Sequence, residues 1–207
     1  MLPSLTIIDD FLSDPWAARR AALALRYALP GTGRNYPGRD STSALEVDGI
    51  NAAVSRHIGI DLAGAEGTEH GHCRLTLKSD KGRSGVHVDP AFYSGILYLS
   101  RPEDCVKPGA GGTDFFRHKR TGLERVPTNG AELAATGYDN LDDLVGTVVN
   151  KDTMHPAKWE RVMRVPIRFN RLLLFSPWQF HNSAPGFGTD PESGRLVMLL
   201  FFAKAKG

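Results

Sequence analysis

From His70 onward the sequence is cut into short apolar runs at near-regular intervals, each bounded by turn-forming residues. Cys73-Arg74-Leu75-Thr76-Leu77-Lys78 alternates with period two, the signature of a strand with one buried face. Further strands are expected at Gly95-Ile96-Leu97-Tyr98-Leu99-Ser100, at Gly111-Gly112-Thr113-Asp114-Phe115-Phe116 and over 159–167. Two late apolar runs follow, Leu172-Leu173-Leu174-Phe175 and Leu196-Val197-Met198-Leu199-Leu200-Phe201-Phe202. Residues 79–83, the proline- and glycine-rich stretch 101–112 and Asn170-Arg171 supply the turns. Helices first and many short strands afterwards point to a mainly β fold with flanking helices. The expected architecture is a double-stranded β-helix, a jelly-roll or cupin-like barrel whose interior can hold a small cavity.

The helices are expected over about 13–60. Residues 5–12 read as a short strand and a turn, after which Ser13 or Asp14 can cap a helix with Pro15 at its first position. That helix runs through Trp16 to about Leu29 and is stopped by Pro30-Gly31-Thr32-Gly33; residues 34–39 read as a loop. A second helix is expected from Glu46 to Gly59, with Val47, Ile50, Val54 and Ile58 on one side. The strand pattern lapses between Arg120 and about Pro156. Residues 131–135 and 141–145 look helical there, the second capped by Asn140, so about 120–158 reads as a helical insertion between strands. The chain is thus expected to be one domain over 1–207, with its barrel at about 70–203.

A length of 207 residues suffices for one substantial core. A net charge of +2 gives no reason to expect nucleic acid or an anionic membrane as partner. No apolar stretch is long enough for a membrane-spanning helix, and Met1-Leu2-Pro3-Ser4-Leu5 is not a basic region leading into an apolar run, so a cytoplasmic protein is expected. Cys73 and Cys105 lack metal-type spacing and are expected to be free thiols.

The chemistry is expected at Gly85-Val86-His87-Val88-Asp89-Pro90. On an extended segment residues i and i+2 share a face, so His87 and Asp89 present an imidazole and a carboxylate side by side. His181, just after the buried run at 172–175, is the natural third ligand. Two histidines and one carboxylate on one face of an octahedron are the donor set of non-haem Fe(II) oxygenases. Arg195 opens the last strand, where its guanidinium can take the far carboxylate of a dicarboxylic co-substrate. The remaining histidines, His57, His70, His72, His118 and His155, read as structural or surface residues, with His72 and His118 flanking barrel strands. Arg74 and Thr76 share one strand face, turned either into the barrel or to solvent. Tyr98 and Trp178 are candidates to pack over the site or in the core, and the 34–39 loop is a candidate for substrate contact.

In order, His87-Val88-Asp89, the strand Gly95-Ile96-Leu97-Tyr98-Leu99, Gly111-Gly112-Thr113-Asp114-Phe115, and His181 followed by Arg195 resemble the Fe(II)/2-oxoglutarate-dependent dioxygenase superfamily, near its prolyl-hydroxylase-like branch. Ile7-Ile8-Asp9-Asp10-Phe11-Leu12 is also similar to the start of such proteins. The resemblance covers roughly residues 70 to 203. The tyrosine that family members often carry on the strand before the motif is not evident in Arg74-Leu75-Thr76-Leu77, and the insertion lengthens the interval between Asp89 and His181.

The resemblance implies that His87, Asp89 and His181 hold Fe(II), that 2-oxoglutarate chelates it, and that Arg195, helped by Thr76 or Ser183, pairs with the distal carboxylate. It implies O2 as oxidant, succinate and CO2 as co-products, and hydroxylation of an unactivated C–H of a small molecule or an amino-acid or peptide substrate. Two other classes stay open: a cupin-like metal enzyme that does not use 2-oxoglutarate, and a non-catalytic ligand-binding barrel. The insertion is expected to act as a lid or rim.

Overall fold

The computed structural model describes residues 2–28, 36–80, 82, 85–105 and 110–206. Its elements in chain order are β1 (Leu5–Ile8), α1 (Pro15–Ala24), β2 (Arg39–Ala44), α2 (Ile50–Ile58), β3 (Leu62–Gly64), β4 (His72–Thr76) and β5 (Tyr93–Tyr98). They continue with β6 (Thr113–His118), α3 (Gly130–Thr136), α4 (Leu141–Leu144), β7 (Trp159–Val165), β8 (Leu172–Phe175), β9 (His181–Ser183) and β10 (Arg195–Lys204). All strand pairs are antiparallel. The larger sheet runs β1-β8-β5-β10-β4-β2, with β3 added beside β10, and the smaller runs β7-β6-β9. Together they form the expected jelly-roll.

The two late apolar runs are continuous because both faces of their strands are covered. On β10, Leu196, Met198, Leu200 and Phe202 pack outward onto the helices, against Ala22 of α1 and Val54 and Ile58 of α2. The alternate residues Val197 and Leu199 face the smaller sheet, where they meet Phe115 and Val165. Strand β8 divides in the same way, Leu172 and Leu174 toward the helices and Leu173 and Phe175 between the sheets. Each such buried side chain contributes about 1.5–3 kcal/mol. This alternation puts Arg195, two residues before Val197, on the inter-sheet face.

The helices are shorter than expected. Asp14, not Ser13, caps α1, its carboxylate accepting from the Ala17 amide, and Pro15 opens it. The helix stops at Ala24 because Leu25 turns extended and the following residues pair with β2: Thr42 donates to the Arg26 carbonyl and Ala28 to that of Asp40. Arg19 of α1 is buried and donates to the carbonyls of Leu99 and Glu192. Helix α2 starts at Ile50 rather than Glu46, after a left-handed Gly49, and buries Ile50, Val54 and Ile58. Strand β2 falls between the loop expected at 34–39 and the helix expected from Glu46, where no strand was expected. Its sequence, Arg-Asp-Ser-Thr-Ser-Ala, carries no apolar alternation because it is the polar outer strand of the sheet, held by pairing to β4. Leu29, residues 30–33, Arg34, Asn35, Lys81 and Arg83 lie outside the described residues.

The insertion carries the expected helices, with Asn129 capping α3 and Asn140 capping α4 through their side-chain oxygens. It is not a loose flap. Val126, Leu144, Val148 and Val149 are buried in a third apolar cluster with Val86, Trp159 and Phe180, and Val86 and Phe180 are the chain neighbours of His87 and His181. The insertion therefore buttresses the segments that carry His87 and His181. His118, from the basic run 117–120, is fully buried. Its Nε2 lies 3.0 Å from Asp152 Oδ2 and its Nδ1 lies 3.0 Å from the Thr121 hydroxyl. Asp152→Ala leaves that imidazole without its buried carboxylate, and urea denaturation should register a loss of about 1–3 kcal/mol. Among the described residues no helix is long and apolar enough to cross a membrane, and neither cysteine is disulfide-bonded.

Candidate metal centre

His87 and His181 face each other across a short antiparallel bridge. The His87 amide donates to the His181 carbonyl and the His181 amide donates back, at 2.9 and 3.1 Å. Opposed residues of such a pair point to the same side, so the two imidazoles come together with ring centroids 4.4 Å apart. Asp89 is anchored two residues on by its amide, which donates to the Pro177 carbonyl. Ligand atoms of His87, Asp89 and His181 all lie within 4.8 Å of one another. Asp89 Oδ1 is 3.7 Å from His87 Nε2 and Asp89 Oδ2 is 3.3 Å from His181 Nε2. This is the grouping expected from the sequence.

Both imidazoles are set in the tautomer a metal needs. His87 Nδ1 donates to the Gly85 carbonyl at 3.0 Å and His181 Nδ1 to the Gln179 carbonyl at 2.8 Å. That leaves the Nε2 lone pairs directed at the shared point. Phe175 packs edge-on against His181 and fixes its plane. Burial, and then the second imidazole, push His87 down to about 4, so it is neutral at pH 7. His181 is also pushed down by burial, but the Asp89 carboxylate outweighs this and raises it. Burial alone would raise Asp89; His181, His87 and Ser94 instead hold it at about 2. Two neutral-capable imidazoles and an ionised carboxylate around one point fit a divalent cation.

Ser94, on the inner face of β5, was not legible as a site residue. Its buried hydroxyl donates to Asp89 Oδ2 at 2.7 Å and orients the carboxylate. Ser94→Ala should weaken metal affinity by roughly 10–100-fold, as loss of an outer hydrogen bond to a ligand does; isothermal titration with Zn(II) measures it.

The three ligands open onto a cavity of about 130 Å³ between the sheets, whose wall also includes Arg195, Ser183, Thr113 and Arg74. Arg195 is 2% exposed. Among the described residues it makes one hydrogen bond, Nε to the Gly111 carbonyl at 2.9 Å, and has no acidic partner. Burial pushes its pKa down to about 10, so it stays charged at pH 7. Gly111 has a φ of +76°, and a Cβ there would meet the Phe187 ring at 2.4 Å, so only glycine presents this carbonyl. A buried guanidinium with spare donors is a site for an anion.

Of the other residues picked out in the sequence, Ser183 borders the cavity. Thr76 does not, although it is the cross-strand partner of Arg195. Its hydroxyl lies 3.4 Å from the Pro37 carbonyl, and Gly186 packs over its methyl group. Arg74 faces the cavity, which decides between its two expected orientations. Tyr98 is a core residue whose hydroxyl meets that of Thr113 at 2.7 Å, and Trp178 is exposed and is not part of the cavity wall. His72 bonds the Ser41 carbonyl and His70 the backbone of Phe201.

Among solved structures, the non-haem α-ketoglutarate-dependent carbocyclase SnoK from nogalamycin biosynthesis is 15% identical over 96% of this chain and 79% of its own, with a TM-score of 0.53. HygX from Streptomyces hygroscopicus with nickel, 2-oxoglutarate and hygromycin B bound is 16% identical over 98% and 83%, at 0.49. A Pseudomonas putida prolyl-4-hydroxylase is 13% identical over 99% and 94%, at 0.46. The SnoK likeness shows that the two chains share a fold. No curated protein matches the sequence significantly. One family model spans residues 3–202, and the chain therefore belongs to that family, described as a family of unknown function, DUF6445.

Proposed function

We propose that the protein is a non-haem Fe(II)- and 2-oxoglutarate-dependent oxygenase that hydroxylates a C–H bond of a small molecule or of an amino-acid or peptide substrate. One observation carries the reading: one cavity holds a two-histidine, one-carboxylate cluster and, in the same wall, a buried guanidinium that has no acidic partner among the described residues. A cupin-like metal enzyme without a dicarboxylic co-substrate has no use for that guanidinium.

His87 Nε2, His181 Nε2 and an Asp89 oxygen would hold the ion. Fe(II), when bound, supplies O2 activation coupled to decarboxylation of 2-oxoglutarate. Arg195 takes the distal carboxylate of the co-substrate, and the hydroxyls of Thr113 and Ser183 lie in the same wall to complete its hydrogen bonds. Ile96, Phe175 and Leu199 form an apolar lining that keeps bulk water from the reacting position. Ser94 holds the Asp89 carboxylate in orientation. The test is succinate formation from 2-oxoglutarate under air. It is expected to require Fe(II) and to vanish in His181→Ala; absence of succinate while both Fe(II) and 2-oxoglutarate bind would refute the reading.

A further inference from the structure

Among the described residues two arginines face this cavity, and the oxygenase reading uses only Arg195. Arg74 is the other. It sits on the inner face of β4, opposite Val197 of β10. Its Nε and Nη2 both donate to the Asp40 carboxylate, its partner across the β2–β4 pair. The ring of Tyr36 covers one face of the guanidinium, 4.6 Å from its central carbon. A guanidinium has five N–H donors. Asp40 occupies one edge, which leaves the Nη1–Nη2 edge, and among the described residues no protein acceptor takes it. A guanidinium clamped on one edge, stacked on one face and open on the other edge is a preorganised fork for a planar two-oxygen anion.

Its position ties that fork to the metal centre. Tyr36, which stacks on Arg74, also packs edge-on against His87 with ring centroids 5.1 Å apart. The strand-side end of this loop is pinned by Gly38, with φ +95°, where a Cβ would lie 2.5 Å from the Leu75 carbonyl. The cavity volume of about 130 Å³ disfavours a large anion.

We propose that Arg74 is the substrate-recognition residue of this cavity, and that the primary substrate is a small molecule presenting a carboxylate to it. The proposal rests on the oxygenase reading insofar as it gives the second anion site to the substrate rather than to the co-substrate. A free acid held on Arg74 places its carbon skeleton beside His87, where the reacting position lies. Glu69 offers an acceptor for a neighbouring amine.

The experiment is a ligand-observed NMR titration of the protein loaded with Zn(II) and 2-oxoglutarate. The probes are a panel of small carboxylic acids, free amino acids included, each paired with its primary amide. At least one acid is expected to bind saturably and its amide about ten-fold more weakly or worse. Arg74→Gln should weaken the acid about ten-fold or more and leave 2-oxoglutarate affinity unchanged. Arg74→Lys keeps the charge opposite Asp40 and so guards the fold; it should also bind the acid poorly, because an ammonium cannot present the fork. Equal binding of acids and amides, no binding by any acid, or acid affinity unchanged in both Arg74 variants overturns the proposal. So does loss of 2-oxoglutarate from the Arg74 variants with retention in Arg195→Gln. If the wild-type protein binds no 2-oxoglutarate, the oxygenase reading falls instead, and the acid–amide comparison with Zn(II) alone still decides the role of Arg74.

Discussion

His181→Ala is expected to abolish high-affinity Fe(II) or Zn(II) binding and leave a folded protein. The imidazole is one of three ligands, so its loss should exceed the roughly 10–100-fold that follows loss of an outer partner. His87→Ala and Asp89→Ala should behave alike, and calorimetric titration beside circular dichroism separates metal loss from unfolding. The same geometry fixes the pH dependence. Burial lowers His181 but Asp89 raises it further, so protons compete with metal at that imidazole. Affinity should therefore fall as pH drops, beginning at a higher pH than an unperturbed histidine would give. His87, held at about 4, adds no further loss until much lower pH. Wild-type affinity in all three alanine variants would move the metal elsewhere.

Arg195→Gln should raise the dissociation constant of 2-oxoglutarate by roughly 30-fold or more, the effect of removing one partner of a buried charged pair, about 2–5 kcal/mol. Metal affinity should stay near wild type, since Arg195 touches no ligand. Stability of the ligand-free protein gives a second readout. Arg195 is buried and has no acidic partner among the described residues, so a neutral side chain should cost little stability or even increase it. A large drop in stability with unchanged 2-oxoglutarate affinity would make Arg195 a structural residue.

The fold was readable where burial writes itself into the sequence. The runs at 172–175 and 196–202 are apolar at every position because helices cover one face and the smaller sheet the other. The helix caps Asp14, Asn129 and Asn140 act through local side-chain oxygens, although the sequence pointed directly to only some of them. Strand β2 was not legible, because its stability comes from pairing to β4 and from the Asp40–Arg74 clamp rather than from apolar alternation. The end of α1 was missed for a similar reason: its last expected residues are drawn into pairing with that strand.

The ligand grouping was legible from the spacing of His87 and Asp89 and the placing of His181 after a buried strand. Its supporting partners were not. Ser94 and Tyr36 reach the centre through pairings distant in sequence, and the Nδ1 bonds of both histidines go to backbone carbonyls, which carry no residue code. The insertion was expected to act as a lid or rim, yet Leu144, Val148 and Val149 pack it behind Val86 and Phe180.

The central claim is that His87, Asp89 and His181 hold Fe(II) together with 2-oxoglutarate. It is tested most directly by anaerobic ultraviolet–visible titration of the metal-free protein with Fe(II) and then 2-oxoglutarate. A weak visible metal-to-ligand charge-transfer band is predicted, present only with both additions and missing in His181→Ala. Fe(II) binding with no band at saturating 2-oxoglutarate would contradict it.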